Sequence, residues 1–268
     1  MIEALSAELV TQLEHNSIID PRSIPVRFSR LKQFSRSAQH YWHSVQSNYD
    51  ETLSMRLGTA AHALLFEQPL VVWPGKTRSG KQWDAFADEH HGTPIVNQRE
   101  HGEAAAMAKA VRSNPNAMML LDGAIFEEPI DWSLNGRACR STPDARRERL
   151  IVDLKTSKTS EPGQFVRSGL WMSYHAQLAF YMDAVAAAGL GTPEEAYIIA
   201  VESKAPHPVT VMRISDRAIE AGRKLCRMWF ERLLVCEASN EWPGYAQSIV
   251  DFDVLDADEG PALIFGED

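Results

Sequence analysis

The chain has 268 residues, is 44% hydrophobic, and carries a formal net charge of −9 and three cysteines. That length supports one large domain with a real core. No run of about 18 apolar residues is present to span a bilayer, and the opening Met1-Ile2-Glu3-Ala4 lacks the basic and apolar regions of a secretory signal. Cys139, Cys226 and Cys236 are an odd, scattered set that fits neither a disulfide framework nor a Cys-x-x-Cys metal site. Such a set suits a reduced cytosol, so a cytoplasmic protein is expected.

The charge is unevenly spread. No Lys or Arg follows Arg232, and the segment from Leu233 onward holds nine acids: Glu237, Glu241, Asp251, Asp253, Asp256, Asp258, Glu259, Glu267 and Asp268. The first 232 residues hold all 27 basic residues and 27 of the 36 acids. The body is neutral, so the acidic total does not exclude a nucleic-acid partner; local charge decides such contacts.

In chain order, residues 1–25 read as a lead-in with a short helix over 3–15. Ser29 is expected to cap a helix over 30–43. A second helix is expected over 54–67, with Leu57, Ala61, Leu64 and Leu65 on one face and Pro69 after it. Residues 74–81 form a basic Pro- and Gly-containing loop. Helical patterns follow over 81–90 and 99–114, the latter closed by Asn114-Pro115. The pattern then changes to strands over 124–132, 137–142 and 149–156, read as a meander with a hairpin turn at Asn135-Gly136. A crossover helix over 174–188 stops at Gly189. Strands over 195–203 and 208–214 precede a long helix that Ser215 opens and that runs to about 238. The class is α/β or α+β with a mixed central sheet flanked by helices. The domain reading is a lead-in over 1–25, one domain over 26–240 with its strand core at about 123–214, and an acidic tail over 241–268.

The chemistry concentrates in Pro143-Asp144, then Asp153-Leu154-Lys155, then Gln177 and Tyr181. Leu150 to Thr156 is an apolar run suited to a buried strand. Strand side chains alternate faces, so Asp153 and Lys155 point one way and Val152 and Leu154 the other. A buried carboxylate and ammonium on one face are costly unless something compensates; a metal and a phosphate would. Asp144 and Asp153, on neighbouring strands, can share a Mg²⁺ ion, which takes oxygen ligands and keeps several waters. Lys155 can orient or deprotonate an attacking water and offset charge on the phosphate, as in metal-assisted hydrolysis. The bland alternative is a surface ion pair between Asp153 and Lys155, worth little.

Gln177 and Tyr181 are four apart and share a helix face, where they can buttress Lys155 or meet a DNA backbone. His62, four residues after Gly58, is a candidate metal ligand, although a lone histidine in an apolar helix is more often a core or surface residue. Glu127 is a third carboxylate, with Glu128 on the opposite face. The densest basic stretch holds Arg137, Arg140, Arg146, Arg147, Arg149, Lys155 and Lys158, and the loop with Lys76, Arg78 and Lys81 adds to it. Such residues would bind phosphates irrespective of sequence; Arg78, Arg137 and Arg140 are the expected DNA contacts.

On these residues the chain resembles the PD-(D/E)xK nuclease superfamily, and within it the RecE-like (exonuclease VIII) phage exonucleases. The resemblance runs from Ser29-Arg30-Leu31 and Ala38-Gln39-His40-Tyr41-Trp42 through Leu57-Gly58-Thr59-Ala60-Ala61-His62 to Tyr174-His175-Ala176-Gln177 and Tyr181. It implies a restriction-endonuclease-like core with an N-terminal helical portion. It assigns Asp144, Asp153 and His62 to the metal, Lys155 to catalysis, Gln177 and Tyr181 to the helix motif behind the site, and Glu127 to a less defined role on the first core strand. It implies Mg²⁺ or Mn²⁺ as cofactor. Related RecB-type nucleases often carry an iron–sulfur cluster on four cysteines; with three, wrongly spaced, none is expected here. It further implies 5′-to-3′ digestion of one strand at double-stranded DNA ends, leaving 3′ overhangs. The implied partners are a RecT-like single-strand annealing protein and further copies of the chain in a ring. A RecB-like or restriction-like endonuclease, or a DNA-end-binding protein without turnover, are the competing readings. The acidic tail, with its interleaved aromatics, is either a packed segment or a DNA mimic that docks a partner.

Overall fold

The computed structural model describes residues 18–47, 51–246 and 248–250. The expected helix over 3–15 and most of the acidic tail, with Phe252 and Phe265, lie outside them. The described chain opens with a 3-10 turn Pro21–Ser23, followed by a helical turn α1 (Phe28–Leu31), a 3-10 turn Lys32–Ser35 and α2 (Ala38–Gln46). The single helix expected over 30–43 is thus broken. Its cap is Ser37 rather than Ser29, because the Ser37 hydroxyl accepts from the His40 backbone N–H.

Helix α3 (Leu53–Leu65) is capped by Thr52, whose hydroxyl accepts from the Met55 N–H. It ends before Pro69, at Phe66, and Glu67 turns the chain away at φ 56°. Next come β1 (Val71–Trp73), α4 (Lys81–Glu89), β2 (Ile95–Asn97) and α5 (Gln98–Arg112). β1 and β2 form a small parallel pair. A reciprocal box opens α5: Asn97 accepts from the Glu100 N–H and Glu100 accepts from the Asn97 N–H. Asn114-Pro115 closes α5 as expected, but Pro115 also starts a further helix, α6 (Pro115–Leu121), with Asn114 as its cap. Proline at the first helical position loses no hydrogen bond.

The strand expected over 124–132 is two strands, β3 (Ile125–Phe126) and β4 (Ile130–Leu134), interrupted at Glu127, which sits at φ 47°. β4 pairs with β5 (Arg137–Ser141) across Asn135 (φ 48°) and Gly136 (φ 79°), the two positive angles the Asn-Gly turn calls for. This hairpin does not continue into the meander; it stands as its own two-stranded sheet. The central sheet instead recruits β6 (Ala145–Arg147), a three-residue strand too short to leave a pattern. Its order is β3-β6-β7-β8-β9, with β7 (Leu150–Ser157), β8 (Glu195–Glu202) and β9 (Val209–Ile214). Only β7 and β8 run parallel; the other neighbours are antiparallel, so the sheet is mixed as expected.

The parallel step needs a crossover, supplied by α7 (Pro162–Trp171) and α8 (Tyr174–Ala187). Glu161 accepts from the Gly163 and Gln164 N–H groups to start α7, a helix absent from the expected elements. Ser215 caps α9 (Asp216–Ser239). Two apolar layers sandwich the sheet. On one side Ile151, Ile198 and Ala200 meet α8, α9 and α1. On the other Val152, Leu154, Ile199 and Val201 meet α3, α5 and α6. The alternation on β7 therefore directs Asp153 and Lys155 toward α8 and the two apolar residues toward α3.

Candidate active site

β7 and α8 carry one row of polar side chains. Lys155 Nζ lies 2.7 Å from Asp153 Oδ2. It donates to Gln177 Oε1 at 3.0 Å, and Gln177 Nε2 donates to the Tyr181 hydroxyl at 3.0 Å. Its ammonium also stands 4.8 Å from the centre of the Tyr174 ring. Residues 174, 177 and 181 fall on one face of α8, since three- and four-residue steps return to the same side. Tyr174 lay within the sequence motif but carried no assigned role; the three-residue step to Gln177 was the signal.

β6 and α3 bring the second half. The Asp144 Oδ2 accepts from the Leu154 N–H at 2.7 Å, and His62 Nε2 donates to the Leu154 carbonyl at 3.0 Å. One peptide segment of β7 therefore orients both side chains. With a proton fixed on Nε2, the neutral ring presents a lone pair at Nδ1. It lies 3.6 Å from Glu127 Oε1 and 3.6 Å from Asp144 Oδ1. Glu127 reaches this position because its left-handed backbone ends β3 and its N–H bonds the Asp144 carbonyl at 3.1 Å. Glu128 turns outward and pairs with Arg146. Gly58 lets α3 come close to β7: a Cβ there would stand 3.2 Å from Thr156 Oγ1. A cleft of about 830 Å³ opens over the cluster, lined in part by Gly58, His62, Glu127, Lys155 and Gln177.

The electrostatics are those of a desolvated cluster. Burial raises Asp144 to about 6, with Asp153 adding to the shift and His62 opposing it. Burial alone would lower the pKa of Lys155, but Asp153 and Asp144 outweigh it and hold the ammonium well above its usual range. His62 behaves likewise: burial pulls it down, and Asp144 and Glu127 bring it above the ordinary imidazole value. Burial pushes the Tyr181 hydroxyl up to about 12.

Asp153 is only 1% exposed, and neither of its oxygens has a hydrogen-bond partner in acceptable geometry, despite the short approach of Lys155. Buried carboxylates ordinarily have all their lone pairs answered. Among the described residues, no three His, Cys, Asp or Glu side chains are grouped so that they could hold a metal ion as they stand. The donor set here is instead open: carboxylate oxygens, one imidazole nitrogen and adjoining solvent space. That set fits Mg²⁺ or Mn²⁺, held by a few protein ligands with water completing the shell.

Arg78, Arg137 and Arg140, the expected DNA contacts, are not brought to this cluster as free cations. Arg137 is buried against Glu237 at 3.1 Å and donates to the Pro21 and Ile24 carbonyls, tying the N-terminal segment to α9. Arg140 pairs with Asp131 across the hairpin at 2.6 Å. Arg78 meets Glu100 at 2.7 Å and the Ile95 carbonyl at 2.8 Å. The loop around it is anchored rather than free: Trp73 Nε1 donates to the Thr77 carbonyl, and a Cβ on Gly75 would lie 2.3 Å from the Trp73 ring.

The mixed sheet, the helical layers and a carboxylate–lysine cluster on its central strands define an α/β domain of the PD-(D/E)xK type. Residues 27–251 match the family described as "PDDEXK-like domain of unknown function (DUF3799)", and the chain belongs to that family. No protein with a curated description matches it in sequence. The crystal structure of the "Putative exonuclease" of Eubacterium rectale is similar in fold, with a TM-score of 0.62 and 14% identity over 88% of this chain and 94% of that one. An alkaline exonuclease of Laribacter hongkongensis is also 14% identical over 70% of this chain and 94% of its own, at a TM-score of 0.30. Among the described residues no helix is long and apolar enough to cross a membrane.

Proposed function

We propose that this chain is a metal-dependent exodeoxyribonuclease that digests one strand of linear double-stranded DNA from its 5′ end and leaves 3′ overhangs. The observation that carries the reading is the buried Asp153 carboxylate, without a hydrogen bond, paired with Lys155, which lines an open cleft together with His62 and Glu127. Asp144, Asp153 and His62 Nδ1 would hold the ion, with Glu127 alongside. A bound Mg²⁺ or Mn²⁺ would supply charge neutralisation at the scissile phosphate and acidify a water.

The side chains divide the remaining work. Lys155, held protonated by its carboxylate neighbours, presents positive charge to the oxygens of the phosphate as negative charge develops on them. Gln177 fixes the direction of that ammonium by accepting one of its protons, and Tyr181 fixes Gln177 in turn. Tyr174 covers the ammonium and limits its contact with water, which strengthens its field. Polarity, strand choice, action beside a RecT-like annealing protein and assembly into a homo-oligomeric ring rest on the RecE-like resemblance. The cytoplasmic setting rests on the scattered cysteines, and the reading of 241–268 as an acidic tail outside the nuclease domain rests on the absence of Lys and Arg after Arg232.

The test is digestion of linear duplex labelled at its 5′ or 3′ end, beside a closed circle, with Mg²⁺ or EDTA. Early release of the 5′ label, an intact circle and silence in EDTA are expected. A cut circle would favour an endonuclease, and no hydrolysis under any condition would favour a DNA-end-binding protein.

A further inference from the structure

Among the described residues that line the cleft, Lys155 is the one lysine or arginine. A phosphate held in the cleft away from Lys155 would therefore be met by neutral donors. Serine and threonine hydroxyls are such donors in nucleic-acid contacts. Ser54, Thr59 and Thr156 present hydroxyls along the wall that α3 and β7 build. Ser54 is exposed, and the Thr59 hydroxyl is engaged, donating to the Met55 carbonyl at 3.1 Å. Thr156 is half-buried, and its hydroxyl has no hydrogen-bond partner among the described residues.

Gly58 leaves that hydroxyl uncovered. Glycine weakens a helix interior, and Gly58 lies inside α3 without the positive φ that would call for it. Beyond its own helix, a Cβ at Gly58 would meet one heavy atom within 4 Å, Thr156 Oγ1 at 3.2 Å. What an alanine methyl would cover is thus the Thr156 hydroxyl and not the backbone of β7. The contacts between α3 and β7 also run in step. His62 Nε2 meets the Leu154 carbonyl at 3.0 Å; four residues back along α3 and two on along β7, Gly58 meets Thr156. Four helix residues rise about 6 Å and two strand residues about 6.6 Å, so the two elements stay level. Leu154 also holds Asp144 through its N–H. The Thr156 hydroxyl is therefore one step along the cleft from the candidate metal centre, roughly the rise of those two strand residues.

We propose that Thr156 is a substrate-binding residue: its hydroxyl donates to the phosphate adjoining the scissile one, and Gly58 is the gap that admits that phosphate. The assignment rests on the nuclease reading above. Thr156 does no chemistry in it; it fixes the register of the strand against Lys155 and the carboxylates.

The test is steady-state digestion of linear duplex in Mg²⁺ over a range of NaCl, with Mn²⁺ titration calorimetry and a melting temperature for each protein. Wild type, Thr156→Val, Thr156→Ser, Gly58→Ala and the control Thr59→Val would be compared. Thr156→Val is expected to raise KM about 3- to 10-fold with kcat, Mn²⁺ binding and melting temperature nearly unchanged. The slope of KM against salt should also stay the same, because a neutral hydroxyl releases no counterion. Thr156→Ser should restore most of the KM. Gly58→Ala should raise KM while melting at the same or a higher temperature, and Thr59→Val should behave as wild type. An unchanged KM in Thr156→Val or Gly58→Ala would overturn the proposal. So would failure of serine to rescue, an equal effect of Thr59→Val, or a KM effect that comes with lost Mn²⁺ binding or a lower melting temperature. Any of these in an active wild type sinks this proposal alone. A wild type that digests no DNA sinks the nuclease reading with it.

Discussion

Two buried carboxylates in this molecule meet opposite fates. Glu100, on α5, is 5% exposed and fully answered: Arg56 at 3.1 Å, Arg78 at 2.7 Å and the Asn97 N–H at 2.9 Å. Asp153, on β7, is 1% exposed and has one cation close by but no hydrogen bond to either oxygen. The first is a closed network that joins α3, the basic loop and α5. The second is an open one, directed at a cleft. Ion pairing alone does not separate structure from chemistry here; the completeness of the network does.

The comparison breaks most readily at Lys155. Lys155→Ala should lower the rate of duplex digestion by at least about 10³-fold, since a charge aimed at the developing phosphate charge is lost; rates from single-turnover digestion measure this. Glu100→Ala should do the reverse. It takes the buried carboxylate from both guanidinium groups and leaves Arg56 only the more exposed Glu51 and Arg78 only the Ile95 carbonyl, so urea unfolding should report a loss of about 2–4 kcal/mol while the rate per folded molecule changes little. If Glu100→Ala removed activity without destabilising the chain, the two networks would have been assigned the wrong way round.

Asp153→Asn sharpens the contrast. The change removes the ion-pair partner of Lys155 but also the repulsion between Asp153 and Asp144, so stability should shift by no more than about 1 kcal/mol, well short of the Glu100 loss, and activity should disappear; denaturation and digestion of one preparation decide this. Tyr181→Phe strips the acceptor from Gln177 Nε2 and should slow digestion only about 3- to 10-fold at saturating DNA, because Lys155 keeps its charge.

The smallest effect is on pH dependence. In EDTA, Asp144 has a folded pKa of about 6 against a reference of 3.8, so the folded state binds the proton more tightly than the unfolded one. His62, also raised, acts in the same direction. The cluster's contribution to stability should therefore grow as pH falls from 7 to 5, by on the order of 1–2 kcal/mol. Asp144→Asn should flatten that part of the profile, as measured by urea midpoints across the range.

Much of this was legible in the chain. Asp153 and Lys155 could be placed on one face of a buried strand by period two alone, and Gln177 and Tyr181 on one helix face by spacing. The Asn135-Gly136 turn was legible because only those residue types take its angles cheaply. The rest depended on context that local pattern does not carry. β6 is three residues long and exists only because β7 and β3 lie on either side of it. Glu127 breaks a strand whose residues read as continuous. Arg78, Arg137 and Arg140 look like free cations in the sequence because their partners, Glu100, Glu237 and Asp131, lie 22, 100 and 9 residues away.

The central claim is that the open cluster, and not the closed one, is the metal centre. Calorimetric titration of Mn²⁺ into the wild type, Asp153→Asn and Glu100→Gln tests it most directly. The account predicts saturable binding in the wild type and in Glu100→Gln, and its loss in Asp153→Asn. Undiminished Mn²⁺ binding in Asp153→Asn would contradict it.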